Sequence, residues 1–239
     1  MRIGWFRAVT NNFHVFAAGS FADEMAHAAG RDSLEFMLDM LGPGHVLDLQ
    51  AQKVKYSNYG APIGKYPLDS RRVRRVLEVA AEKAGWGKRK AGNGWGMGIT
   101  AHYSFNSYVA SAVEVEIDGK GGFRVPKVHQ VIDCGVVINP DRVRAQLEGA
   151  AVMGVGLART GEMTAVAGRV QQTNFHQFRV PRMNDAPMQV DVHFVESGAL
   201  PTGVGEPGVP PVVAALGNAL FAATGTRARA LPLTRTKFA

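Results

Sequence analysis

The chain has 239 residues, 46% of them hydrophobic and 20% charged, a balance that excludes a disordered chain and supplies enough apolar side chains for a sizeable core. No apolar run reaches the ~20 residues of a membrane-spanning helix, and Cys134, the single cysteine, excludes an intrachain disulfide or a cysteine-built zinc or iron–sulfur site. A net charge of +7 favours acidic partners in general without choosing one.

The opening stretch, Met1 to Arg7, lacks the apolar core of a secretory signal, and the compartment is left open. Arg7 follows Gly4-Trp5-Phe6 and precedes a polar turn at Thr10-Asn11-Asn12; by itself it reads as a surface arginine. Ser20 with Asp23 has capping-box spacing and predicts a helix start, with Phe21, Met25 and Ala28 or Ala29 on one face and Gly30 as the stop. Asp32 with Glu35 opens a second helix that Gly42-Pro43-Gly44 ends. His14 and His27 have no second ligand at a useful spacing, so no metal site is expected. Residues 44–68 read as an irregular connection. Asp69 then caps a helix with an apolar stripe through Val73, Val76, Leu77, Ala80, Ala81 and Ala84. Arg71, Arg72, Arg74 and Arg75 crowd its first turns, where the helix dipole disfavours an exposed cation by roughly 0.3–1 kcal/mol. They form either a solvated face or a docking surface for an acidic partner.

Gly92, Gly94, Gly96 and Gly98 alternate, but neither register completes a G-x-G-x-x-G fingerprint, so they predict a strand with one bare face against which other backbone packs. Val109, Val113, Val115 and Ile117 alternate with smaller or charged residues as in a half-buried strand. Asp118 to Gly122 supplies a turn and Phe123 to Asp133 the returning partner, irregular at Pro126; Cys134 is expected as a small buried hydrophobe. Asn139-Pro140 caps and opens a helix with Val143, Leu147, Ala150, Ala151 and Val155 inward and Gln146 as a polar exception. Gln171 to His176 is a polar stretch with one aromatic, and Val190, Val192 and Phe194 form a last strand. Gly203-Val204-Gly205-Glu206-Pro207-Gly208-Val209-Pro210-Pro211 reads as a glycine-rich loop, free to take positive φ, that opens an apolar helix ending at Gly225. Glu206 is the lone ionisable side chain of that neighbourhood, a candidate general base at the mouth of a helix.

Gly205-Glu206-Pro207, with Asn218 to Gly225 and Leu231-Pro232-Leu233, resembles the C-terminal signature of the large, molybdopterin-binding subunits of the xanthine dehydrogenase and aldehyde oxidase family, in particular the isoquinoline 1-oxidoreductase beta-subunit type. Gly4-Trp5-Phe6-Arg7, Tyr108 to Val115, Asp133-Cys134-Gly135 with Asn139-Pro140, and Gln146 to Ala150 are similar to family segments in the same order. The resemblance covers nearly the whole chain. It implies an α+β fold of mixed sheets and hairpins packed with helices, part of a molybdenum-cofactor-binding domain. It implies hydroxylation of an N-heterocycle or an aldehyde with water as the oxygen source, Glu206 as the base that takes a proton from the attacking oxygen, and Arg7 beside the molybdenum centre orienting substrate. Ser111, Ala112 and Gly205 would lie against the cofactor, and Phe175 and His176 near the substrate funnel. The pterin's sulfurs, not side chains, would hold the metal.

Two departures qualify what the resemblance implies. Family large subunits are far longer, and their upstream glycine-rich cofactor segments have no match in this sequence. Residues 1–239 would then be the C-terminal part of the molybdopterin-binding domain, completed by the remaining part of the large subunit and by a small [2Fe–2S] subunit that accepts electrons. The competing expectation is a catalytically silent scaffold, interaction module or gene fragment of the same fold. Nucleic-acid binding through the arginines of the Asp69 helix and Lys88-Arg89-Lys90 ranks last, because no aromatics interleave with them and no membrane or nucleic-acid partner is expected.

Overall fold

A computed structural model describes residues 4–238; Met1, Arg2 and Ile3, part of the stretch without a signal-like core, lie outside the described residues. The helices are α1 (Asn11–Ala28), α2 (Ser33–Leu41), α3 (Ser70–Ala84), α4 (Pro140–Thr160) and α5 (Val209–Thr224). The strands are β1 (Trp95–Ser104), β2 (Ser107–Ile117), β3 (Phe123–Arg124), β4 (Lys127–Asp133), β5 (Ala165–Val166), β6 (Arg169–Val170) and β7 (Gln189–Phe194).

The main sheet runs β1-β2-β4-β7, antiparallel except for the parallel β4–β7 pair, with β3 also on β2; β5 and β6 form a separate hairpin. This is the expected α+β mixed sheet covered by helices. β1 and β2 pair from Trp95↔Glu116 to Ser104↔Ser107, joined by Phe105 and Asn106, which both take positive φ as a two-residue type I′ turn requires. No glycine marks this turn. The sheet is covered on both faces: α3 with α2 packs on Ile99, Tyr108, Ala110, Ala112 and Val131, and α5 with α4 on Val113, Val115 and Val128. β2 was expected to be half-buried; it is buried on both faces because the small residues between its valines meet α3.

Local signals that close within a turn behave as the sequence predicts. Asp32 accepts from the N–H groups of Leu34 and Glu35, Asp69 from Arg71 N, and Asn139 from Arg142 N, while Gly225 ends α5 at φ 73°. The start of α1 differs. It begins at Asn11, within the expected polar turn, and Ser20 lies in mid-helix rather than at a cap. The reason is tertiary: Asn12 is buried and donates to Arg7 O, and Phe16 packs in the α5 core, so the early turns are held by contacts that no local spacing encodes.

The bare face of β1 is real and tight. A Cβ at Gly96 would lie 2.2 Å from Ala219 O, and one at Gly98 2.1 Å from Ala215 O, so α5 rests directly on the strand backbone. Gly92 and Gly94 instead make the turn before it, at φ 122° and 75°. The arginines of α3 find partners within the fold. Arg71 pairs with its own cap Asp69 at 2.7 Å, Arg74 with Glu78 at 2.9 Å, and Arg72 reaches across to buried Asp133 at 2.6 Å while lying over the Tyr108 ring. That explains how the dipole penalty is offset. Cys134 is buried just past β4, and burial beside Asp133 pushes its thiol pKa up.

Candidate active site

The Glu206 loop runs in from β7 and is fastened to the β1–β2 turn before it reaches α5. Gly203 N donates to Phe105 O at 3.1 Å, Ser107 Oγ donates to Gly203 O at 2.6 Å, and Thr202 N to Cys134 O at 3.0 Å. None of Gly203, Gly205 or Gly208 lies in the left-handed region; Gly203 and Gly208 serve close approach instead. A Cβ at Gly208 would come within 2.9 Å of both Ala150 and Leu147, which lets α4 abut the start of α5. Glu206 O accepts from Val209 N at 3.2 Å, so the carboxylate is carried on the turn that leads into the helix, where the dipole favours negative charge.

From the other end of the chain, Arg7 and Ala8 clamp this loop. Arg7 Nε donates to Gly205 O at 2.8 Å, its Nη2 donates to the same oxygen, and Nη2 also reaches Gln146 O and Oε1, each at 3.0 Å. Ala8 N donates to Glu206 Oε1 at 3.0 Å. Ala8 and Val9 both have positive φ, 69° and 51°, a strained conformation for a β-branched residue, held here by the contacts just named. Burial lowers the Arg7 pKa and the neighbouring Glu206 charge raises it; the guanidinium stays charged. The face is open. A Cβ at Gly205 would meet nothing within 4 Å and one at Gly149 only Arg7 Nη1 at 3.9 Å, while Trp5 is 92% exposed beside the clamp in sequence.

Arg7, Gly205 and Glu206 are therefore brought together, and Gln146, read from the sequence only as a polar exception, joins them. Its signal was the single amide beside the apolar stripe of α4. Ser111 and Ala112 are not at this surface. Both sit inside β2 between β1 and β4, where the ladder engages the backbone, and both side chains are buried, Ser111 towards α5 and Ala112 towards α3. Ser111 Oγ and Gln130 Oε1 are buried without a hydrogen-bond partner among the described residues, and Gln130 Nε2 donates to Gly208 O at 3.2 Å beneath the loop. Phe175 and His176 lie on an exposed loop whose neighbour Pro181 packs against Gly156, about 15 Å along α4 from Gln146 at 1.5 Å per residue. No hydrogen bond joins them to Glu206 among the described residues.

Among the described residues no group of three His, Cys, Asp or Glu side chains could hold a metal ion. What this surface offers instead is a free Arg7 Nη1, the exposed Gln146 amide and a glycine-lined rim, a donor set suited to a large group rich in acceptors. Comparison with known proteins places the chain in a family. The family model described as "Molybdopterin cofactor-binding domain" matches residues 7–187. The chain belongs to this family. The molybdenum–pterin cofactor expected from the sequence is the one the family description carries, although the match ends before Glu206.

The chain is similar to a membrane-bound aldehyde dehydrogenase of Gluconacetobacter polyoxogenes, whose name specifies pyrroloquinoline quinone. It is 30% identical over 97% of this chain and 29% of its own length. The isoquinoline 1-oxidoreductase subunit beta of Brevundimonas diminuta is 33% identical over 69% of this chain and 21% of its own. Quinoline 2-oxidoreductase from Pseudomonas putida 86 has a solved structure that matches with a TM-score of 0.46 and 25% identity, covering 53% of this chain and 17% of that one. The chain thus spans less than a third of each of these proteins. No helix among the described residues is long and apolar enough to cross a membrane.

Proposed function

We propose that this chain is the C-terminal part of the molybdopterin-binding portion of a molybdenum hydroxylase acting on an N-heterocycle or an aldehyde, with Glu206 as general base. The observation that carries the reading is the clamp from Arg7 and Ala8 onto Gly205 and Glu206. It joins segments 198 residues apart at an open surface. When bound, the molybdenum–pterin supplies the redox chemistry, with water as the source of oxygen.

The chain's own groups do the positioning and proton work. Ala8 N–H fixes one carboxylate oxygen of Glu206, which leaves the other to accept a proton from the attacking oxygen. Arg7, locked by Gly205 O and Gln146, holds a positive charge beside that carboxylate and presents Nη1 to cofactor or substrate. Of the positions expected to touch the cofactor, Gly205 is kept and Gln146 added; Ser111 and Ala112 act as the strand beneath. Phe175 and His176 would meet substrate on its approach and not at the reacting atoms. The remaining part of the large subunit covers the open face, and a small [2Fe–2S] subunit takes the electrons, since one cysteine cannot hold a cluster.

The test is the molybdenum and pterin content of the protein purified from its host with its partners, followed by Glu206→Gln in that assembly. The expected result is molybdenum in both forms and a loss of turnover of about 10²–10⁴ in the variant. Protein that copurifies with no partner and no molybdenum supports the silent scaffold instead. A quinone in place of molybdenum supports the chemistry named for the Gluconacetobacter relative.

A further inference from the structure

The far end of α5 borders a second cavity, of about 300 Å³, enclosed by the C-terminal turns of α1, the start of α2, the loop after α3 and the beginning of β1. It is separate from the Glu206 surface: Asn218 and Phe221 line it, and Asn218 lies about 15 Å along α5 from Gly208 at 1.5 Å per residue. Its walls are aromatic. Trp86, Trp95 and Phe221 face it, and His27 stands edge-on to Phe221 with ring centroids 4.8 Å apart.

The charges around it are unequal in a way that defines a ligand. Both carboxylates of the lining are already engaged. Asp32 caps α2 and accepts from Trp86 Nε1 at 2.9 Å, and Asp23 accepts from Arg227 Nη1 at 2.7 Å and from Ser33. Arg89, by contrast, has no carboxylate within 4.0 Å among the described residues and lies over the Trp95 ring at 4.2 Å, with Lys88 and Lys90 beside it in sequence and likewise unpaired. Behind the wall, Arg227 stacks on Phe221 at 3.6 Å, is 7% exposed, and keeps a buried Nη2 without a partner. Aromatic faces with a free guanidinium and no free acid select a flat, apolar, negatively charged molecule.

We propose that this cavity binds a mono- or bicyclic aromatic carboxylate, with the ring on the aromatic wall and the carboxylate on Arg89. The volume is at the small end for ligand sites, which fits one or two fused rings and not a nucleotide. The basic run Lys88-Arg89-Lys90 thereby gains a role that needs no nucleic acid. The proposal does not depend on the reading of Glu206.

The three tryptophans give a specific readout. Indole N–H signals of the full chain are followed by NMR during titration with naphthoate, neutral naphthamide and a purine mononucleotide. Saturable shifts of the Trp86 and Trp95 signals with naphthoate, none at Trp5, and about tenfold weaker binding of naphthamide are expected. Arg89→Gln, at an exposed position, should weaken naphthoate about tenfold without altering the fold, while Arg89→Lys recovers part of the loss and Glu206→Gln leaves binding unchanged. Equal binding of naphthamide, an unaffected Arg89→Gln, or saturation by the nucleotide but not by naphthoate would overturn the assignment.

Discussion

The middle and the N-terminus of α5 are built on opposite rules. Along its middle the helix lies on the glycine face of β1, where not even a Cβ fits. At its N-terminus the same helix opens on Glu206, held by one hydrogen bond from Ala8 and edged by glycines that face empty space. A proton-transferring carboxylate needs a fixed position and a free oxygen at once, and the closed frame makes the first possible without sacrificing the second. Stability and activity should therefore separate cleanly between the two regions.

The strongest way to break the closed side is Asp133→Ala. It strands the Arg72 guanidinium, 15% exposed, and removes acceptors from Gly135 N and Ser197 Oγ; a loss of about 3–5 kcal/mol is expected in denaturant unfolding. Gly98→Ala places a methyl 2.1 Å from Ala215 O and should cost about 3 kcal/mol by the same measurement, with α5 pushed off β1. Neither change touches Arg7 or Glu206. A variant that lost turnover but kept its stability here would contradict the separation.

The frame also carries a pH dependence of its own. His129 is buried on β4, stacked on His193, and burial, reinforced by Lys127, depresses its pKa to about 4; burial does the same to His102, also to about 4. The unfolded chain takes up these protons near pH 6.5, before the folded one does. Stability is thus complete above about pH 6.5 and falls as the pH drops towards 4, on the order of 2 kcal/mol for His129. Melting temperature measured across that window should show the decline, and His129→Gln should remove part of its slope while His102 and His193, whose pKa burial also lowers, retain the rest.

The smallest expected effect sharpens the open side. Gln146→Ala deletes one of the acceptors on Arg7 and leaves the carbonyls of Gln146 and Gly205 in place. Unfolding free energy should change by less than about 1 kcal/mol, while turnover of the assembled enzyme falls about tenfold through a less well-fixed Arg7. Glu206→Gln in the same assembly gives the larger loss described above. Together they test whether the clamp positions the base or merely joins the chain ends.

Features completed within a few residues were legible in the sequence. Asp32, Asp69 and Asn139 cap helices through hydrogen bonds that close two or three positions away, alternating glycines mark a strand that backbone must approach, and Glu206 stands alone ahead of an apolar helix. Each signal and its consequence share one short stretch of chain. Whatever depends on contacts between distant segments was settled only by the fold. Asn11 starts α1 because Asn12 is buried on Arg7 O and Phe16 packs in the α5 core far along the chain, and β2 is dry on both sides because helices happen to cover both. Ser111 and Ala112 fall inside the sheet, out of reach of the surface, because β1 and β4 flank them. The meeting of Arg7 and Ala8 with Gly205 and Glu206 is the clearest case: no periodicity spans 198 residues, and hydrogen-bond geometry between them exists only once β1, α4 and α5 have packed.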